Sequence, residues 1–213
     1  MDKTTNMRYI ETIGLILTRL LWTTIASLIV LIVMNCTLFM LIDYGHMEQG
    51  AENFVTMIFS PIIYALTIGL SFASVAAFII WFYVIYSGLM RRGADLQRSA
   101  GTALISWFIP IYNFIAPLFL MKKVFRETNR LLDKKPSETG LRESLLDGWW
   151  FLAITTVVFL IIELAFSLRS STSSGLFKAE LIGTVCQMIS AYFCIQIVKL
   201  YGKAEAELKK KQK

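Results

Sequence analysis

Histidine occurs once in this chain, as His46, and cysteine three times, as Cys36, Cys186 and Cys194. A metal centre needs clustered ligands, and one histidine among scattered acids does not supply them. No serine or cysteine has a histidine at a spacing that suggests an activated nucleophile. The cysteines are odd in number and all lie in apolar runs, so no disulfide framework is indicated and they read as small buried residues. There is no internal repeat and no heptad pattern. Enzymatic chemistry and a bound cofactor are therefore not expected.

Extended polar sequence is equally scarce. Of 213 residues, 56% are hydrophobic, and they gather in runs of the length, about 20 residues, that crosses a hydrocarbon core of about 30 Å. Lipid is the implied solvent. The net charge of +6 comes from basic residues that flank those runs and form no stripe on a soluble face, which excludes nucleic acid as a partner and points to anionic headgroups.

Four spans are expected, at about 13–42, 61–90, 149–168 and 179–201. The first has no small-residue cleavage pattern near residue 25 and is expected to be retained as a helix. Asp43 to Phe59 is acidic and contains neither lysine nor arginine, and Ser60-Pro61 reads as a helix start. Span two leads into the short basic segment Arg91 to Arg98, and Gly148-Trp149-Trp150 opens span three with its tryptophans at interface depth. After a Ser/Thr/Gly-rich turn and span four, the basic tail 203–213 is expected to continue the helix.

Residues 102–121 are also apolar and long enough to cross, but Pro110 and Pro117 interrupt them. Each proline removes an N–H and clashes with the preceding turn. Charge decides the topology, because lysine and arginine in short loops stay in the cytoplasm. Were this segment to cross, the following stretch Lys122 to Gly148, with seven basic residues, would lie outside. If it returns to the side it entered from, as a re-entrant hairpin or an interfacial segment, both termini and every basic loop are cytoplasmic. Only Arg169 and Lys178 then remain in the outer loops. The expected fold is thus an all-α integral membrane protein with four transmembrane helices and a proline-broken segment, forming a single membrane domain over 1–213.

From Trp81 to Trp150 the chain carries Arg91-Arg92, then Trp107-Phe108-Ile109-Pro110-Ile111-Tyr112-Asn113-Phe114-Ile115-Ala116-Pro117, then a basic helix, then Gly148-Trp149-Trp150. This third of the chain resembles a bacterial membrane family, domain of unknown function 4328, whose Trp-Phe-x-Pro-x-x-Asn-x-x-x-Pro motif it matches. Phe114 stands where the family often has tryptophan. The resemblance implies the membrane fold and a bacterial cytoplasmic membrane; it implies no activity.

A few polar residues stand out against this background. Asn113, between Pro110 and Pro117, is read as a cap for backbone groups freed by the break, the alternative being a polar ligand at a broken-helix site. Glu163 lies inside span three, where a carboxylate either relays protons or reaches Arg169 or water. Arg19, near the start of span one, is expected to snorkel to headgroups, while Lys178 and Glu180 are read as solvated at the outer mouth of span four. On a helix over 117–134, Leu118, Met121, Phe125 and Leu132 share one face and Lys122, Lys123, Arg126 and Arg130 crowd the rest. That helix is expected to lie at the surface and bound the hairpin, the alternative being a basic interaction face that lies along headgroups or docks a partner.

With so few polar residues recognised in the spans, the expected function is non-enzymatic: an interaction, assembly or regulatory partner of another membrane or envelope protein, or a homo-oligomer. The alternative is a channel or transporter component using the broken segment and Glu163.

Overall fold

The computed structural model describes residues 3–43, 55–109, 112–168 and 174–211. Most of them are helical, with no strand among the described residues. The long helices are α1 (Lys3–Asp43), α2 (Ser60–Arg91), α6 (Glu143–Leu168) and α7 (Ser174–Lys211); between α2 and α6 lie α3 (Ala100–Ile105), α4 (Ala116–Leu132) and α5 (Pro136–Thr139).

The four long helices contain stretches apolar and long enough to cross a membrane, at Tyr9–Met40, Met57–Arg91, Glu143–Phe166 and Gly175–Lys211. At about 1.5 Å per residue, α1 and α7 reach nearly 60 Å, twice what a core of about 30 Å requires. The α-helix of span two starts at Ser60, as Ser60-Pro61 suggests, but a π turn over Val55–Phe59 feeds directly into it. Pro61 offers no N–H to the carbonyl four residues before it, and the wider turn is a local way to absorb that missing bond.

The chain forms two compact units. Unit one comprises residues 1–19, 75–151 and 193–213. Its core is large and aromatic: Trp81, Phe82, Tyr86, Phe125 and Tyr201 are essentially inaccessible. Trp149 belongs to this core, with its ring 5.1 Å from that of Phe78, so it turns inward against protein. Edge-to-face and tilted contacts of this kind add to the area that aromatic side chains bury.

Unit two comprises residues 20–74 and 152–192. Its interior is built differently. The buried residues of α2 in this unit are Ser60, Thr67 and Ser74, spaced by seven, and those of α7 are Ala179, Gly183, Thr184, Ser190 and Ala191. Between helices in lipid there is little hydrophobic driving force, so small side chains that permit close backbone approach and interhelical hydrogen bonds take its place. Gly183 marks one such approach: a Cβ there would lie 2.9 Å from Glu163 Oε1 and 3.0 Å from Phe159 Cβ.

Candidate functional site

In unit one, no helix runs through residues 102–121. The six-residue α3, capped by the Ser99 side chain, ends in turns, and a 3-10 turn over Tyr112–Phe114 leads into α4. Pro110 lies outside the described residues. Pro117 is buried in the first turn of α4, where its missing N–H costs nothing, so it starts a helix after the break. The Asn113 side chain is half-buried and has no hydrogen-bond partner among the described residues, and the N-cap position of α4 is Ile115, without a side-chain cap. The carbonyl of Phe114 is instead satisfied by Trp150, whose indole N–H donates to it at 2.8 Å. Outward from this segment point Ile105, Phe108, Phe114, Ile115 and Phe119, together with Phe151.

The face of α4 bearing Met121, Val124, Phe125 and Leu132 is buried in the protein and leaves no apolar stripe free for headgroups. Most of its basic residues are also spoken for. Lys122 pairs with Asp147 at 2.6 Å, Arg126 binds Glu143 with both prongs of its guanidinium, and Arg130 binds Glu127 at 2.7 Å. Lys123 has no ion-pair partner among the described residues. The acids that take Lys122 and Arg126 lie at the start of α6, 25 and 17 residues away and beyond the reach of helical spacing, whereas Glu127 lies one turn before Arg130 on α4 itself.

Arg92 and Glu205 form a two-pronged pair in which the side chains are 9% and 1% exposed. The Glu205 carboxylate raises the guanidinium above its ordinary pKa against the opposing effect of burial. Arg19 is exposed on α1, as snorkelling requires.

In unit two, Glu180 is not a solvated residue at the mouth of a span. It is half-buried, and its Oε1 accepts from Asn35 Nδ2 at 2.6 Å and from the Tyr64 hydroxyl. Asn35 Nδ2 also donates to the Tyr64 oxygen at 2.9 Å, and Asn35 Oδ1 lies 3.2 Å from the same hydroxyl. Three helices, α1, α2 and α7, thereby meet at one carboxylate. A small cleft beside it is lined by Ile32, Asn35, Phe177, Glu180, Leu181 and Thr184.

Further polar groups continue along the same helices. Thr67 is buried with its hydroxyl unpartnered among the described residues, Ser71 accepts from Gln187 Nε2 at 2.9 Å, and Ser74 and Thr24 share a hydrogen bond of 2.9 Å. The spans of unit two thus carry a row of polar side chains, some bonded from helix to helix. Glu163 is half-buried beside Gly183 and pairs with no lysine or arginine among the described residues; Arg169 lies outside them.

The row escaped sequence reading because isolated serines and threonines are unremarkable in an apolar run. The available signal was the spacing of Ser60, Thr67 and Ser74, with Tyr64 and Ser71 four residues after the first two.

Four apolar helices long enough to span, with charge and aromatics ordered around them, define a multi-pass helical membrane protein. Within that class the chain belongs to the family described as domain of unknown function (DUF4328), whose model matches residues 48–203. No curated protein and no solved structure matches it.

Proposed function

We propose that the chain is a protein of a bacterial cytoplasmic membrane, with both ends in the cytoplasm, that acts without catalysis by binding another membrane or envelope protein. The orientation follows from charge: every one of the 21 basic residues except Arg169 and Lys178 belongs to unit one, and basic segments stay inside. The proline-broken segment is then a shallow element at the cytoplasmic side. Its first arm, α3, reaches only about 9 Å by helical rise, against a core of about 30 Å.

The observation that carries the binding reading is the outward aromatic edge of unit one: Phe108, Phe114 and Phe119 on the broken segment and the start of α4, and Phe151 on α6 next to the Trp150 that holds the segment. A fixed apolar edge of this kind suits a transmembrane segment of another protein, and lipid covers it otherwise. Photocrosslinking in intact cells from positions 119 and 151 tests it. A discrete protein adduct, weakened by Phe108→Ser, is expected; adducts to lipid alone would sink the reading.

The second reading, a channel or transporter component, is favoured by the polar row of unit two. Ion flux in liposomes with Glu163→Gln and Glu180→Gln tests it, and equal leak in all samples would remove it.

A further inference from the structure

Glu180 occupies an unusual place for a carboxylate. It stands on a helix apolar enough to span, and the groups bonded to it are an amide and a phenol; no lysine or arginine pairs with it among the described residues. Intramembrane carboxylates are expensive and are normally matched by a cation, either a basic side chain or a bound ion. Glu163, on α6, brings a second carboxylate to the same unit with no basic partner among the described residues. Lys178, the basic residue nearest in sequence, is exposed. Among its described residues unit two holds three acids, Asp43, Glu163 and Glu180, against Lys178.

The oxygen donors around Glu180 have the chemistry of a hard-cation site. Tyr64 contributes a hydroxyl and Asn35 an amide oxygen, both within hydrogen-bond distance of each other, and Thr184 adds a buried hydroxyl in the wall of the adjoining cleft. A half-turn of the Asn35 amide presents its oxygen in place of its N–H to the carboxylate end, so the same residue serves either as a donor to Glu180 or as a ligand beside it. One carboxylate with neutral oxygens suits a single positive charge better than two. The cleft's remaining walls, Ile32, Phe177 and Leu181, are apolar and leave little room, which disfavours a bulky hydrated ion.

An independent feature leads toward the same place. Thr67, 5% exposed, stands one turn from Tyr64 on the same face of α2, and its hydroxyl has no partner among the described residues. Beyond it come the Ser71–Gln187 bond and the Thr24–Ser74 bond. From Tyr64 to Ser74 the helical rise is about 15 Å, half the hydrocarbon core. A buried hydroxyl left without a partner costs free energy unless something polar visits it.

We infer that Glu180, Tyr64, Asn35 and Thr184 form a binding site for a small monovalent cation of sodium or lithium size, with the hydroxyl row of α2 as its polar approach. This goes beyond the protein-binding reading and does not depend on it.

Thermal unfolding of the full chain in mild detergent tests the site, with sodium, lithium, potassium or choline chloride at constant ionic strength. Sodium or lithium raises the unfolding temperature saturably over choline, the rise is lost in Glu180→Gln, and Thr184→Val weakens the apparent affinity about tenfold, equivalent to 1.4 kcal/mol. Radiolabelled sodium binding to the same samples saturates at a stoichiometry near one per chain. An equal effect of choline, or a sodium effect that survives in Glu180→Gln, overturns the site. So does a stability that responds to pH through Glu180 but never to sodium or lithium, which marks the carboxylate as a proton site only. Should Glu180→Gln fail to fold, Tyr64→Phe and Thr184→Val carry the test, and unchanged sodium binding in both overturns it.

Discussion

Arg92, one residue past the end of α2, and Glu205, near the end of α7, meet through both terminal nitrogens and both oxygens in the interior of unit one. The pair is unusual for its burial, since ions this far from water recover their desolvation cost only through close mutual contact. Removing one partner strands the other. Glu205→Ala or Arg92→Ala is expected to cost about 3 to 5 kcal/mol. The double replacement Arg92→Met with Glu205→Leu should recover most of that loss. Unfolding curves in detergent decide the matter, and a double variant no better than the single ones would show that the ions have a role beyond compensating each other.

Trp150 supplies the bond that the break before α4 needs. Trp150→Phe keeps an aromatic ring but removes the N–H donated to the Phe114 carbonyl and trims the contacts with Trp107 and Trp149, so the expected loss is about 1 to 2 kcal/mol. Hydrogen exchange should quicken at the start of α4, at Phe119 and Leu120, while α7 stays protected. Uniform acceleration across the chain would mean that Trp150 supports the whole fold and not this joint.

The expected consequence of the α4 pairs is the opposite. Arg126 and Arg130 are largely exposed, and their partners Glu143 and Glu127 hold them in water, where salt screens the attraction. Arg126→Ala and Arg130→Ala are expected to leave the unfolding temperature unchanged within error at physiological salt. A clear drop for either would place that guanidinium in a less aqueous setting than its exposure indicates.

What was legible in the residues, and what was not, follows a physical division. The four spans are local properties: a run of apolar residues long enough for the bilayer announces itself, and prolines announce where a helix cannot continue. The burial of Met121, Phe125 and Leu132 on one side of α4 was likewise written in their spacing. Pairing across the chain is not local. Asn35 and Glu180 are 145 residues apart, and nothing in the neighbourhood of Glu180 indicates that an amide and a phenol wait for it. For the same reason the acids that take Lys122 and Arg126 were visible as residues but not as partners. Small polar residues are the hardest to read, because Ser, Thr and Gly in a span register as interruptions of hydrophobicity, whereas in a lipid-embedded bundle they form the packing seam.

Gly183 is the place where that seam is tightest. Gly183→Ala puts a methyl group against Phe159 Cβ and the Glu163 carboxylate. The carboxylate is the end of a flexible chain and can swing away, but Phe159 Cβ is tied to its backbone, so α6 and α7 must separate. The expected cost is about 1 to 3 kcal/mol. Adding Glu163→Ala should restore only part of it. Full restoration by that second change would show that the carboxylate alone resists the methyl group, and that the helices themselves have slack.

Sidedness is the prediction on which the proposed orientation rests. Ser137 is exposed on α5, between α4 and α6, and its side chain makes no hydrogen bond or cap among the described residues. With Cys36 and Cys186 changed to serine and the buried Cys194 left in place, Ser137→Cys offers a membrane-impermeant maleimide one accessible thiol among the described residues. In intact cells the thiol should stay unlabelled, and in inverted membrane vesicles it should react fully. The physical reason is the concentration of lysine and arginine on either side of it, since Lys122, Lys123, Arg126, Arg130, Lys134, Lys135 and Arg142 would all have to be carried across if residue 137 faced outward. Labelling of intact cells would mean that the proline-broken segment crosses the bilayer after all. The aromatic edge of unit one would then meet the membrane interior from the other side, and the partner sought by crosslinking would have to be an exterior one.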